Sequence, residues 1–142
     1  MSWIVSRMRW IMLVSGVLTS TMIYAAIAPE AALQSSFGEA LTGPLAEIVV
    51  RNWGALIALI GGMLIYGAFN PSSRPLVLVV AGVSKAVFIG LVLSLGDYLG
   101  RQVGVAVVVD AIMIVLFAWY LVAARVGRQA ERTPKSTRAL VS

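Results

Sequence analysis

Residues 75–95 read PLVLVVAGVSKAVFIGLVLSL, apolar throughout except for two serines and one central lysine. A helix of that length is about what is needed to cross a hydrocarbon layer ~30 Å thick at ~1.5 Å per residue. Lys85 stands ten residues past Pro75, which on a helix puts it about 15 Å deep, near the bilayer midplane. An ionisable group there costs at least about 2.5–3.5 kcal/mol on insertion scales, so it needs a partner or a water-filled cavity. The best partner in the sequence is Asp110, the acidic residue that lies deep inside another apolar segment. The run and its lysine fix the environment of the chain before anything else is read.

Composition agrees. Hydrophobic residues make up 60% of the 142 and charged residues 12%, with a mean hydropathy of +0.94. A soluble domain carries roughly 25% charge, so this is the composition of a membrane protein. The absence of cysteine and histidine removes disulfides, thiolate nucleophiles, imidazole bases and His/Cys metal sites together. A net charge of +5 resembles a nucleic-acid signal. Its distribution points to membrane topology instead, and no nucleic-acid partner is expected.

Four apolar segments follow in order. After Trp3, Arg7 and Arg9, residues 10–28 are apolar with the hydroxyls Ser15, Thr19, Ser20, Thr21 and Tyr24 interspersed. The basic start and Ala26-Ile27-Ala28 imitate a secretory signal, but Pro29 directly after the triplet argues against cleavage. The segment is read as a first membrane helix whose hydroxyls bond to the preceding turn or to a neighbouring helix. In the connection 29–43, Pro29 and Glu30 suit a helix start and Gly38 a helix stop. Leu33, Phe37 and Leu41 fall at i, i+4, i+8, the spacing of a short helix lying on the membrane surface. A loop with one helical turn fits the same residues. Thr42-Gly43-Pro44 opens a second helix, 45–69, ended by Asn70-Pro71-Ser72-Ser73. The third helix covers 75–95, a polar turn 96–101 follows, and the fourth covers 103–122, with Trp119 and Tyr120 at an interface. Residues 125–142 are polar and basic and read as a disordered cytoplasmic tail near anionic headgroups.

Four crossings place both termini on one side. Arg7, Arg9, Arg74, Arg125, Arg128, Arg132, Lys135 and Arg138 gather there, against Arg51 and Arg101 on the other. The positive-inside rule then puts both termini in the cytoplasm.

Two small-residue ladders repeat every four residues, Gly54–Ala58–Gly62 on the second helix and Gly82–Ala86–Gly90 on the third. Such ridges let helix backbones approach closely. They serve either to pack these two helices into a hairpin or to form a homo-oligomer interface. Lys85 and Asp110 differ in depth by only about 5 Å, within reach of a lysine side chain. They are either a structural pair that fixes helix register or a charged site in a ligand or ion pathway. Arg51 competes as a partner for Asp110. Glu47 and Arg51, four apart, suit an exposed helix ion pair, and with Asp97 and Arg101 they form an outer charged rim. Glu30, Glu39 and Glu47 match no metal loop, and no serine lies in a nucleophile motif. No catalytic residue, metal site or cofactor is expected, and the chain is not read as an enzyme.

The second helix, with Glu47, Arg51, Asn52, Trp53, Gly54 and Gly61-Gly62, resembles the corresponding helix of small DoxX-like membrane proteins. The general layout from Trp10 to Val122 is similar as well. The resemblance implies a four-helix chain of this length, some of whose relatives resemble accessory subunits of membrane redox systems. Lys85 is outside the pattern.

The sequence therefore predicts an all-α, four-helix transmembrane bundle, multi-pass, in a bacterial cytoplasmic (inner) membrane. The leading function is a non-catalytic accessory or small-ligand or lipid-binding bundle in contact with the lipid bilayer, self-associating or joined to a larger membrane complex. The alternative is a homo-oligomeric channel or small transporter built on Lys85 and Asp110. A path reaching Lys85 from both sides favours transport, and a closed apolar cavity favours binding.

Overall fold

The computed structural model describes residues 2–95, 99–100 and 102–132, and every regular element among them is an α-helix. In chain order these are α1 (Ser2–Ser20), α2 (Ile23–Ile27), α3 (Pro29–Phe37), α4 (Pro44–Phe69), α5 (Arg74–Leu95) and α6 (Gln102–Arg132). Four segments are long and apolar enough to cross a membrane: Ser6–Ile27, Pro44–Phe69, Arg74–Leu95 and Gln102–Ala130. The all-α, four-helix expectation holds.

The first crossing is broken rather than continuous. At Thr21 and Met22 the backbone tightens: Thr21 N–H is shared between Val17 O at 3.2 Å and Leu18 O at 3.3 Å, and Met22 N–H bonds Thr19 O at 3.2 Å. The Thr21 hydroxyl donates to the same Leu18 carbonyl at 2.6 Å. A hydroxyl that competes for a backbone carbonyl tightens and bends the helix at that point. α2 then stops at Ala28 (φ −128°, ψ 72°), because the residue before a proline is pushed out of the helical region.

α3 is a helix, not a loop with one turn. Pro29 occupies its first turn, Glu30 faces its positive end, and Gly38 closes it in the left-handed region at φ 72°. Its apolar side does not lie on a membrane surface, however. Leu33 is buried with Ala25, Ala32 and Val50, and the Phe37 ring lies 6.4 Å from that of Trp53. Leu41 falls beyond the helix and is exposed. Protein packing takes the amphipathic face that the spacing offered to lipid.

α6 continues ten residues past the expected end at Val122. Arg125 and Arg128 therefore stand on a helix and not in a disordered tail. The segment 123–132 is rich in Ala, Arg, Gln and Glu, all good helix formers, and the next proline is at 134. The rest of the expected tail, with Lys135 and Arg138, lies outside the described residues, as do Asp97 and Arg101.

α4 packs mainly along α1 and α2, and α5 mainly along α6. The predicted ladders are not what joins them. Gly62, Gly82 and Gly90 have open space where a side chain would stand, and Ala86 is exposed. Close approach occurs instead at Gly54 and Gly61 of α4 and Gly16 of α1. A Cβ on Gly61 would sit 2.7 Å from Gly16 O, and one on Gly54 would sit 2.6 Å from Ala26 N. The reason is geometric. Steps of four residues drift about 40° round a helix, while steps of seven drift only about 20°. Gly54, Gly61 and Ala68 therefore keep one line along the first crossing, Gly61 against α1 and Gly54 against α2, and all three are buried.

The bundle is filled unevenly. Met8, Met12, Leu64, Leu78, Phe117 and Tyr120 form a core at the end where α1 begins and α6 finishes. The opposite end holds two smaller clusters, around Ala25 and Val50 and around Val92 and Val103, with Phe37 touching both. Arg74 ties α4 to α5 at the well-packed end, donating from Nε to Gly67 O at 3.0 Å and from Nη2 to Ala68 O at 2.8 Å.

Candidate functional site

Three helices each turn a polar side chain inward from a mostly apolar buried stripe. On α5 the stripe is Leu78, Ala81, Lys85 and Val92, at helical spacings of three, four and seven. On α1 it is Met8, Met12, Ser15 and Thr19. On α6, Asp110 falls between the buried Val107 and Met113. The three polar groups meet in the middle of the bundle. Lys85 Nζ lies 2.5 Å from Asp110 Oδ1 and donates to Thr19 Oγ1 at 3.3 Å. The two charged side chains are 9% and 17% exposed, so this pair is shielded from water on all sides but one.

The open side is a cavity of about 530 Å³, a size typical of small-molecule pockets (about 300–1,000 Å³). Lys85, Asp110 and Thr19 form its floor. Its walls are largely apolar, with Trp53, Ile57 and Ile60 from α4 and Phe88 from α5. Ser84 adds a hydroxyl to the α5 wall, and Ser36 and Gln102 edge its rim. Beyond the floor, Leu64, Leu78, Met12 and Phe117 fill the bundle. The pair thus sits where the packed half of the molecule meets the hollow half.

The sequence pairs Lys85 with Asp110, and the structure brings them together. It does not bring Arg51 to Asp110. Arg51 instead bonds Glu47 (Nη2 to Oε1, 2.5 Å) and reaches two backbone carbonyls at the end of α2, Ala26 O at 2.6 Å and Ile27 O at 3.1 Å. Those carbonyls lack helical partners, and a guanidinium satisfies them while its charge complements the negative helix end. Glu47 and Arg51 thus anchor α2 to α4, outside the cavity. A smaller recess of about 170 Å³ lies beside Glu30 and Glu47 where α3 meets α4. Gly54 lines the α2–α4 contact, and none of the remaining ladder residues lines the cavity.

Sequence reasoning missed Thr19 as a partner of Lys85, and missed Trp53, Phe88 and Gln102 as cavity walls. Thr19 was visible as a hydroxyl in line with Met8, Met12 and Ser15, the one pattern that marks it as facing inward. Among the described residues no group of three or more His, Cys, Asp or Glu side chains converges to hold a metal.

What the arrangement offers chemically is a neutral polar floor under an apolar chamber. An ammonium has three donor protons, and two are used here. Asp110 Oδ2 accepts nothing further among the described residues. Fold and site together define a class, an all-helical chain with four segments long and apolar enough to cross a membrane and a cavity that ends at a buried ion pair. Comparison with family models, with curated proteins and with solved structures gave no match for this chain.

Proposed function

We propose that this protein is a non-catalytic, multi-pass membrane protein that binds a small amphipathic or lipid-like ligand in the cavity above Lys85 and Asp110. The observation that carries this reading is that the cavity ends at the pair. It reaches the pair from the α3 end, and the Met12–Leu64–Leu78–Phe117 core stands on the other side. A channel or transporter needs a route past that core, where these four side chains offer no hydrogen-bonding group. A chamber that ends at the pair suits retention.

Placement in a cytoplasmic membrane with both termini inside belongs to the same proposal, supported by eight basic residues on one side of the crossings against two on the other. Kinship with DoxX-like proteins rests on the charged entry and glycines of α4. Association with a second copy or a larger complex is supported by the Gly82–Ala86–Gly90 ridge, which no helix of this chain covers.

The test uses the purified chain in two formats. In nanodiscs, added amphiphiles should raise its melting temperature, because a ligand that binds only the folded state stabilises it by mass action. In sealed liposomes it should pass no ion or small solute. Solute flux that disappears in Lys85→Met would overturn the binding reading in favour of transport.

A further inference from the structure

The cavity does not open only toward the α3 end. Leu18 of α1, Thr21 just beyond it, and Val105 and Ala106 of α6 line it, and all four are exposed. Leu18 is 50% exposed and Val105 67%. These residues belong to the spans Ser6–Ile27 and Gln102–Ala130, so the medium at this edge is lipid. The α1–α6 seam is also thinly packed compared with α1–α4 and α5–α6. Overhead, Phe37 joins the Trp53 cluster to the Val103 cluster and narrows the direct route from water. A second approach is sideways, from the bilayer.

The floor selects the head group. Lys85 and Asp110 already cancel each other's charge, so a charged head would add an unbalanced ion to a poorly solvated site. A purely apolar molecule would leave polar atoms without partners. One ammonium proton and Asp110 Oδ2 make no further hydrogen bond among the described residues. A hydroxyl matches both, accepting from the ammonium and donating to the carboxylate oxygen.

We infer that the cavity takes a neutral amphiphile with a hydroxyl head, admitted from the bilayer between α1 and α6 and held head-inward on Lys85 and Asp110. This rests on the binding function proposed above and names its ligand class and its route.

The experiment uses the full chain in nanodiscs with Trp53 as the sole tryptophan, through Trp3→Phe, Trp10→Phe and Trp119→Phe. Three brominated probes share one alkyl chain and differ in head: an alcohol, a phosphate and an ammonium. The alcohol should quench Trp53 saturably, be displaced by unlabelled long-chain alcohol, and bind about tenfold or more tighter than either charged probe, as expected for one or two added hydrogen bonds. A charged probe binding tightest overturns the hydroxyl class and leaves the cavity-binding reading standing. Saturable quenching by none of the three overturns that reading itself. These comparisons need no variant at the pair, so they hold whether or not Lys85→Met/Asp110→Leu folds; where it folds, the preference for the alcohol should vanish. Leu18→Phe with Val105→Phe should slow quenching by the alcohol several-fold, and an unchanged rate overturns entry through the seam.

Discussion

Lys85 Nζ stands 2.5 Å from Asp110 Oδ1 and 3.3 Å from Thr19 Oγ1, so one ammonium joins α5, α6 and α1 at the boundary between the packed and hollow halves of the bundle. The joint explains why the cavity stops where it does. Hydrophobic side chains fill the space up to the pair, and beyond it the helices are held apart by α3 and its aromatic contact with Trp53.

Removing one partner of the pair strands a charge. Lys85→Met and Asp110→Leu should each cost roughly 3–5 kcal/mol, and the double variant should recover much of that loss. Thr19→Val removes one hydrogen bond to a charged group and should cost less, about 1.5–3 kcal/mol at most. Thermal unfolding of both singles and the double closes the cycle. Additive losses would mean that the two side chains do not interact.

The glycines divide sharply by position. Gly61→Ala drives a methyl into Ser20 and the Gly16 carbonyl, where backbone has to move, and should lower the melting temperature clearly. Gly62→Ala and Gly82→Ala meet open space and should be neutral or stabilise by up to about 1 kcal/mol through helix propensity. Equal effects at residues 61 and 62 would show that α4 does not present Gly61 to α1.

Much of this was legible in the sequence, for reasons that differ by feature. The spans follow from the length of apolar runs, which lipid thickness imposes. Lys85 and Asp110 were legible as a pair because two opposite charges buried in hydrocarbon have few other solutions. Thr19 was not, since a hydroxyl on a helix is equally satisfied by its own preceding turn. The α4 ridge was read at a spacing of four when the line that keeps to one neighbour runs at seven, through Gly54, Gly61 and Ala68. The cavity left no direct trace at all. It is the space remaining after Phe88, Trp53 and Val109 have packed, and no residue pattern encodes a remainder.

Arg51 and Glu47 form an exposed pair, yet their removal should not be equivalent. Glu47→Gln loses a solvent-screened contact worth about 0–1 kcal/mol. Arg51→Gln also leaves the Ala26 and Ile27 carbonyls without their donor, at a further cost of about 1–3 kcal/mol. Hydrogen exchange over residues 23–37 should accelerate in the arginine variant and stay near wild type in the glutamate variant.

Topology is open to a direct check. The residues 39–42 between α3 and α4 are all exposed, which makes them a tolerant site for a reporter. Fusions there and after Ser142 should report opposite sides of the membrane, the C-terminal one cytoplasmic. The same side for both would contradict four crossings.

Ser84 offers a way to set stability against function at one position. It lines the cavity wall one residue before Lys85 and makes no contact with Asp110. Ser84→Leu adds apolar volume to a hollow that the native chain leaves unfilled, and filling such space removes a hydroxyl from apolar surroundings while adding dispersion contacts. The ligand-free protein should melt at the same temperature or up to several degrees higher. Its stabilisation by added amphiphile should be lost, because the occupied volume is the one the ligand needs. Such a separation is expected where a site is kept hollow at the expense of packing. A variant that gains stability and still responds fully to amphiphile would place the binding site elsewhere on the molecule.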